Sequence, residues 1–222
     1  MSSLSLSMLA ASAACAAALV LSACGQPSAS GDDGKAAAGA GSAAIPASCK
    51  NHYMLPAMPE PVALAGKPLT EVTCEAFTIE MVWGEAGSSS SIVIVDSQGP
   101  LGDIPDSLKG MTETARSLPL ESVKTAHIMI EGVEALAKST PAAMAEQGGP
   151  DFIPTIKDQG GMRYSIGVEP KPSGGQVGSL LGNVRDRYAV TMEIESDSLI
   201  GLAAGEAAYA PMLAAMRINK LP

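Results

Sequence analysis

Apolar and polar positions alternate with period two along several stretches of this chain. Residues 71–83 read E-V-T-C-E-A-F-T-I-E-M-V-W. Phe77, Ile79, Met81 and Trp83 share one parity, and Ala76, Thr78, Glu80 and Val82 the other. That alternation predicts a strand with one buried face, ended by Gly84. After E-A-G-S-S-S-S, residues 91–95 (S-I-V-I-V) predict a second, shorter and more central strand that forms a hairpin with the first. A third alternating run, M-R-Y-S-I-G-V-E, covers 162–169, and 176–181 has the length of a short strand. In 184–196, Val184, Tyr188, Val190, Met192 and Ile194 fall inward, while Ala189, Thr191, Glu193 and Glu195 fall outward. Arg185 and Arg187 share that outer parity, where Glu193 or Glu80 would be their partners across the sheet.

The period changes at 119–138. Val123, His127, Ile130, Glu134 and Ala137 lie along one line of a helix, with Leu120 and Val133 beside it. Ser117 is the expected cap, Pro119 fits an early turn, and Glu121 sits near the positive end of the dipole. A last helix is expected after a cap at Asp197 or Ser198. Leu199, Leu202, Tyr209, Leu213 and Met216 form its apolar stripe, and Ala203, Ala207, Ala210 and Ala214 form a small-residue strip for close approach to a sheet. Pro211 predicts a kink there. The proline-punctuated segment 49–67 and the aspartate-rich segment 96–110 read as irregular, as does 141–157 apart from a helical turn at 142–147. The resulting order, β-β-α-β-(β)-β-α, predicts an α+β domain: a two-layer sandwich of a mostly antiparallel sheet with helices on one face.

The first fifth of the chain has a different texture. Residues 8–21 are apolar apart from Ser12, too short a run to span a bilayer comfortably, which takes about 20 residues. Their length suits the apolar core of a signal peptide. Residues 1–7 contain no Lys or Arg. Leu21-Ser22-Ala23-Cys24 closes the run and resembles the lipobox of bacterial lipoproteins. The resemblance covers only these first two dozen residues. It implies cleavage before Cys24, acylation of its thiol with diacylglycerol, and often a third chain on the new amine. Two or three acyl chains hold a protein on a membrane without any spanning segment. Gly25, where many inner-membrane lipoproteins carry Asp, implies sorting to the outer membrane. Residues 25–47 contain one large apolar side chain, Ile45. They read as a flexible tether. The expected organisation is a signal peptide at 1–23, a tether at 24–47 and a single periplasmic domain at 48–222.

Charge and cysteines narrow the picture further. The formal net charge of -9 argues against nucleic acid as a partner and against the body lying on anionic lipid. With Cys15 leaving in the signal and Cys24 acylated, Cys49 and Cys74 remain as an even pair in an oxidising compartment. A disulfide between them is the first reading. A metal site using Cys49, His52 and Cys74, or free and intermolecular thiols, are the alternatives. The twelve methionines are scattered, without the M-x-x-M spacing that suits soft copper, and read as core filler. The aspartates of 96–110 lack the EF-hand pattern.

No nucleophile elbow, P-loop, H-E-x-x-H or C-x-x-C motif occurs. No cofactor is implied, and no catalytic residue is assigned. His127, at the border of an apolar stripe, is the one candidate base worth weighing, with a structural histidine as the alternative. The functional expectation is a membrane-tethered, non-enzymatic lipoprotein. Its body would bind an envelope component or small ligand in a groove between helices and sheet, with the loop 96–110 and the turn 170–175 as the expected surface. A small periplasmic hydrolase using carboxylates and His127 is the alternative. So is a structural or assembly accessory, which an unpaired sheet edge at 91–95 would favour.

Overall fold

A computed structural model of the protein describes residues 43–140, 154–170, 176–196 and 201–222. All belong to the compact unit Ala40–Pro222. Cys24, the helical turn expected at 142–147 and the caps expected at Asp197 or Ser198 lie outside the described residues.

The fold is α+β, as the alternation implied. Among the described residues, seven strands form one antiparallel sheet, with two α-helices packed against it. The first three strands make a meander: β1 (Leu69–Glu75), β2 (Thr78–Glu85) and β3 (Ser88–Asp96). Helix α1 (Asp106–Ser139) follows. A second meander then runs β4 (Ile156–Gln159), β5 (Met162–Pro170), β6 (Gln176–Val184) and β7 (Tyr188–Ser196). Helix α2 (Gly201–Ala215) comes last. The spatial order is β1-β2-β3-β7-β6-β5-β4, so the two meanders meet along a β3–β7 seam.

Two expected strands are in fact hairpins. The run at 71–83 turns over at Ala76 and Phe77, and the residues before that turn form β1. The run at 184–196 breaks at 185–187, so Val184 ends β6 and Tyr188 begins β7. The segment 91–95 lies inside β3, paired on both sides, so it offers no free edge to an assembly partner. The three-residue turn keeps the buried parity, pairing Val184 with Tyr188, whereas the two-residue turn shifts it by one, so that Val72 of β1 is buried beside Met81 of β2. Ile79, Met81, Trp83, Val190 and Met192 are all buried on one face.

The helices take opposite faces of the sheet, and this corrects the two-layer expectation. Tyr209 and Met212 of α2 join the cluster of Trp83, Ile92, Leu180 and Met192. Leu120 and Val123 of α1 instead pack on Ala189, Val95 and Leu181, the other parity of the same strands. The face under α2 is the main core. It is completed by the lead-in 43–68, whose Met54, Ala57, Met58 and Leu64 are buried there. The close approach of α2 is made at Gly205, where an added Cβ would stand 2.9 Å from Val168. The alanines expected to make it (203, 207, 210 and 214) are exposed. Helix α2 continues through Pro211 to Ala215.

Helix α1 has 34 residues and starts at Asp106, well before the expected cap at Ser117. Pro105 precedes its first turn, Asp106 sits at the positive end, and Pro119 falls inside. The aspartate-rich segment is therefore partly helix.

The disulfide Cys49–Cys74 is present, with Cα atoms 5.5 Å apart, and ties the lead-in to β1. The metal and free-thiol alternatives for this pair are thereby set aside. His52 instead places Nε2 2.8 Å from the Glu75 carbonyl oxygen.

Asp96 is the anchor of the seam. It is fully buried at the end of β3 and accepts two hydrogen bonds from Arg187, from Nε at 2.9 Å and from the guanidinium terminus at 2.7 Å. The Gln98 amide donates to it at 2.9 Å and the Tyr53 hydroxyl at 3.1 Å. Burial works to raise the Asp96 pKa. The Arg187 and Gln98 hydrogen bonds and the Arg187 charge outweigh it and hold the carboxyl below its usual range. Arg187 does not pair with Glu193 or Glu80 across the sheet, and Arg185 donates to the carbonyls of Leu221 and Pro222.

Two outcomes follow from this architecture. Asp96→Asn leaves Arg187 without its carboxylate and should lower unfolding stability by about 3 kcal/mol in denaturant melts. The stability that Asp96 confers is complete above the ordinary carboxylate range and lost as pH falls through its lowered pKa, so the variant should show a weaker acid limb below about pH 4. The double variant Cys49→Ala/Cys74→Ala should lose about 3.5 kcal/mol, the loop-closure value for a bridge of this span.

Candidate functional site

The described residues form an open groove of about 510 Å³ where α1 crosses the end of the second meander. Its helix wall is Lys124, His127, Ile128 and Glu131, which recur every three or four residues and so line one side of α1. Its sheet wall comes from Asp158 and Arg163, which face each other in the β4–β5 register, and from Asn183 at the end of β6. The β6–β7 turn supplies Arg185 and Asp186 as the rim.

That turn is held in an uncommon shape. Arg185 and Asp186 both have positive φ, 55° and 53°. Short polar side chains tolerate this conformation by bonding locally. Here Asn183 donates to the Asp186 carboxylate at 2.9 Å, and the Asp186 amide donates back to Asn183 at 3.1 Å.

The groove is balanced in charge. Lys124, Arg163 and Arg185 oppose Glu131, Asp158 and Asp186. Arg163 pairs with Glu131, joining β5 to α1. Lys124 lies 3.4 Å from Glu121 and 4.0 Å from Asp186.

His127 forms the floor. It is 4 % exposed, and its Nε2 stands 3.1 Å from the Leu181 carbonyl oxygen. A carbonyl only accepts, so Nε2 carries the proton and donates it. Burial pushes the His127 pKa down, against the Leu181 hydrogen bond, which works to raise it. Its one described hydrogen bond is thus to backbone, and its near acid, Glu131, is engaged by Arg163. The ring locks α1 onto β6.

The start of the loop expected at 96–110 and the Pro170–Gln176 rung lie at opposite ends of the sheet. Asp96, where the loop starts, is in register with Tyr188 and so with Val184, at one end of the sheet. The turn 170–175 follows the Pro170–Gln176 rung at the other end. The residues 171–175 themselves lie outside the described residues. Of the groove residues, sequence reasoning weighed His127 and placed Arg163 and Arg185 on strands. It did not find Lys124, Glu131, Asp158 or Asp186 as neighbours. The spacing Asn183-x-x-Asp186 after a glycine was the available signal, since it marks a side-chain-stabilised turn.

Among the described residues no group of three or more His, Cys, Asp or Glu is placed to hold a metal ion, and no helix is long and apolar enough to cross a membrane. No protein-family model, curated protein or solved structure matches the chain.

The position of His127 gives a direct test. Its depressed pKa means the folded state resists protonation, so stability is complete above the ordinary histidine value of about 6.5 and declines as pH falls through the window below it. His127→Gln keeps a donor toward Leu181 without a titrating group. Chemical denaturation between pH 5 and pH 8 should show this decline in the parent and a flatter profile in the variant.

Proposed function

We propose that the protein is a lipoprotein anchored through Cys24, sorted to the outer membrane, and that its body is a non-enzymatic binding module. Its ligand is a small polar molecule, or a polar segment of another envelope component, carrying both positive and negative groups. The observation that carries this reading is the groove beside α1, where three cationic and three anionic side chains converge over a histidine whose donor is already committed to a backbone carbonyl. Such a lining matches a ligand of mixed charge by complementarity and supplies no activated nucleophile or poised base. The Cys49–Cys74 bond supports the exported location, because structural disulfides persist in oxidising compartments. The lipobox supports the anchor. The hydrolase reading has less behind it, since His127 and Glu131 are both engaged elsewhere.

Two measurements test this. Envelope fractionation should place the parent with the membrane and Cys24→Ser in the soluble fraction, and the parent's intact mass should show acyl chains on a product beginning at Cys24. Retention of Cys24→Ser on the membrane overturns the anchor. For the body, affinity capture from solubilised envelope should recover a component that is lost, by about tenfold or more, from the groove variant Asp158→Lys with unchanged melting. Recovery equal from both chains overturns the groove, and ester or glycoside turnover abolished by His127→Gln overturns the non-enzymatic reading.

A further inference from the structure

The outward side of α1 differs from an ordinary surface helix. Leu120, Val123 and His127 mark its side toward the sheet. At about 100° per residue, Leu108, Met111, Leu118, Met129, Val133 and Leu136 fall on the opposite side, spaced along nearly its whole length. All six are exposed, Met111 by 72 % and Leu136 by 54 %. Ala115, Ser122 and Ala126 fall between them. One charged residue, Glu121, falls at the edge of this side, beside Ser122; the other charges of α1, from Asp106 to Lys138, lie toward the sheet and on the flanks. Surface helices ordinarily do the reverse, turning charge to water and apolar residues inward.

The pattern is also symmetric about Ser122. Set against an antiparallel copy of itself centred there, α1 places Leu108 beside Leu136 and Met111 beside Val133. It places Met129 beside Ala115 and Leu118 beside Ala126. Large residues meet small ones in the middle, as interdigitating packing requires, and the same patch serves both copies, as a two-fold interface requires. Glu121 stands at the edge of the strip, where it is 3.4 Å from Lys124 and open to water, and the opposed helix dipoles attract. The strip runs about 45 Å and is about 10 Å wide, so a pair buries on the order of 1,000 Å², the lower bound for a specific interface. Anionic lipid fits this face less well: the flanks carry no excess of Lys or Arg, and the whole chain has a net charge of -9.

We infer that the outer face of α1 is a homodimer surface, on which a second copy of this chain docks its own α1 antiparallel about Ser122. The inference does not depend on the groove reading.

Cysteine crosslinking of the full chain in its native envelope, under mild oxidant, tests it with wild type as baseline. Ser122→Cys should yield a disulfide-linked species of twice the monomer mass, and Glu113→Cys, on the other side of α1, should not. Leu108→Cys alone should stay monomeric but crosslink when co-expressed with Leu136→Cys. Adding Met129→Glu to Ser122→Cys should cut the dimer about tenfold without changing the melting temperature. Equal crosslinking of Ser122→Cys and Glu113→Cys, or none, overturns the proposal. So does self-crosslinking of Leu108→Cys, which would mean a parallel pair. A crosslinked band of another mass overturns it in favour of a different protein. Protection of the Ser122→Cys thiol from a membrane-impermeant reagent without a dimer overturns it in favour of the bilayer.

Discussion

The bidentate bond between Asp96 and Arg187 holds together what the chain order separates. The two meanders are distant in sequence, and their strands pair only at β3–β7 among the described residues. Asp96 closes one end of that seam, and Arg187 belongs to the turn that starts β7. The same carboxylate takes the Tyr53 hydroxyl, so the lead-in is fastened to the seam as well. The Ser97 amide and hydroxyl both donate to the Arg187 carbonyl, at 3.0 and 2.8 Å, which doubles the link. A buried carboxylate is costly unless each oxygen finds donors. Here both do, and the site selects one arrangement of the two halves.

The seam also explains the layering. Once β3 and β7 are adjacent, both faces of a wide sheet need cover, and the two helices divide the work. Helix α2, the lead-in and the C-terminal turn Ile218–Lys220 close one face over the large core. The lead-in and the C-terminus lock to each other where Arg217 donates to the carbonyls of Ala57 and Met58. Helix α1 covers only part of the other face. Beyond it lie Glu71, Thr73, Glu80 and Glu193 in a polar field, where burial and then the Glu71 charge raise the Glu80 pKa. The groove exists because α1 crosses the sheet near the seam end and leaves a gap against β5 and the β6–β7 turn.

Much of this architecture was legible locally. Alternation at 79–83, 162–168 and 188–194 identified the buried parity correctly, because pleating forces neighbouring side chains to opposite faces whatever the strand pairs with. The hairpin turns at Ala76–Phe77 and at 185–187 were not legible, since neither carries Gly; the second also preserves parity, and the first shifts it only at Val72, one apolar residue in a mostly polar β1. The start of α1 was obscured by Gly110 and by aspartates that read as loop. The groove was hidden for another reason: Lys124, Asp158 and Asp186 are ordinary surface residues until the fold sets them together.

By itself, the sequence determined the class of fold, the buried face of most strands and the pairing of Cys49 with Cys74, and it raised the proposal of an anchor at Cys24. These depend on local periodicity, on counting, or on a short contiguous motif. Tertiary structure alone decided which face each helix takes, that Asp96 pairs with Arg187, and that six charges converge over His127. Those outcomes turn on contacts between residues dozens of positions apart, and such contacts are chosen by the packing of the whole sheet rather than by any segment's own preference.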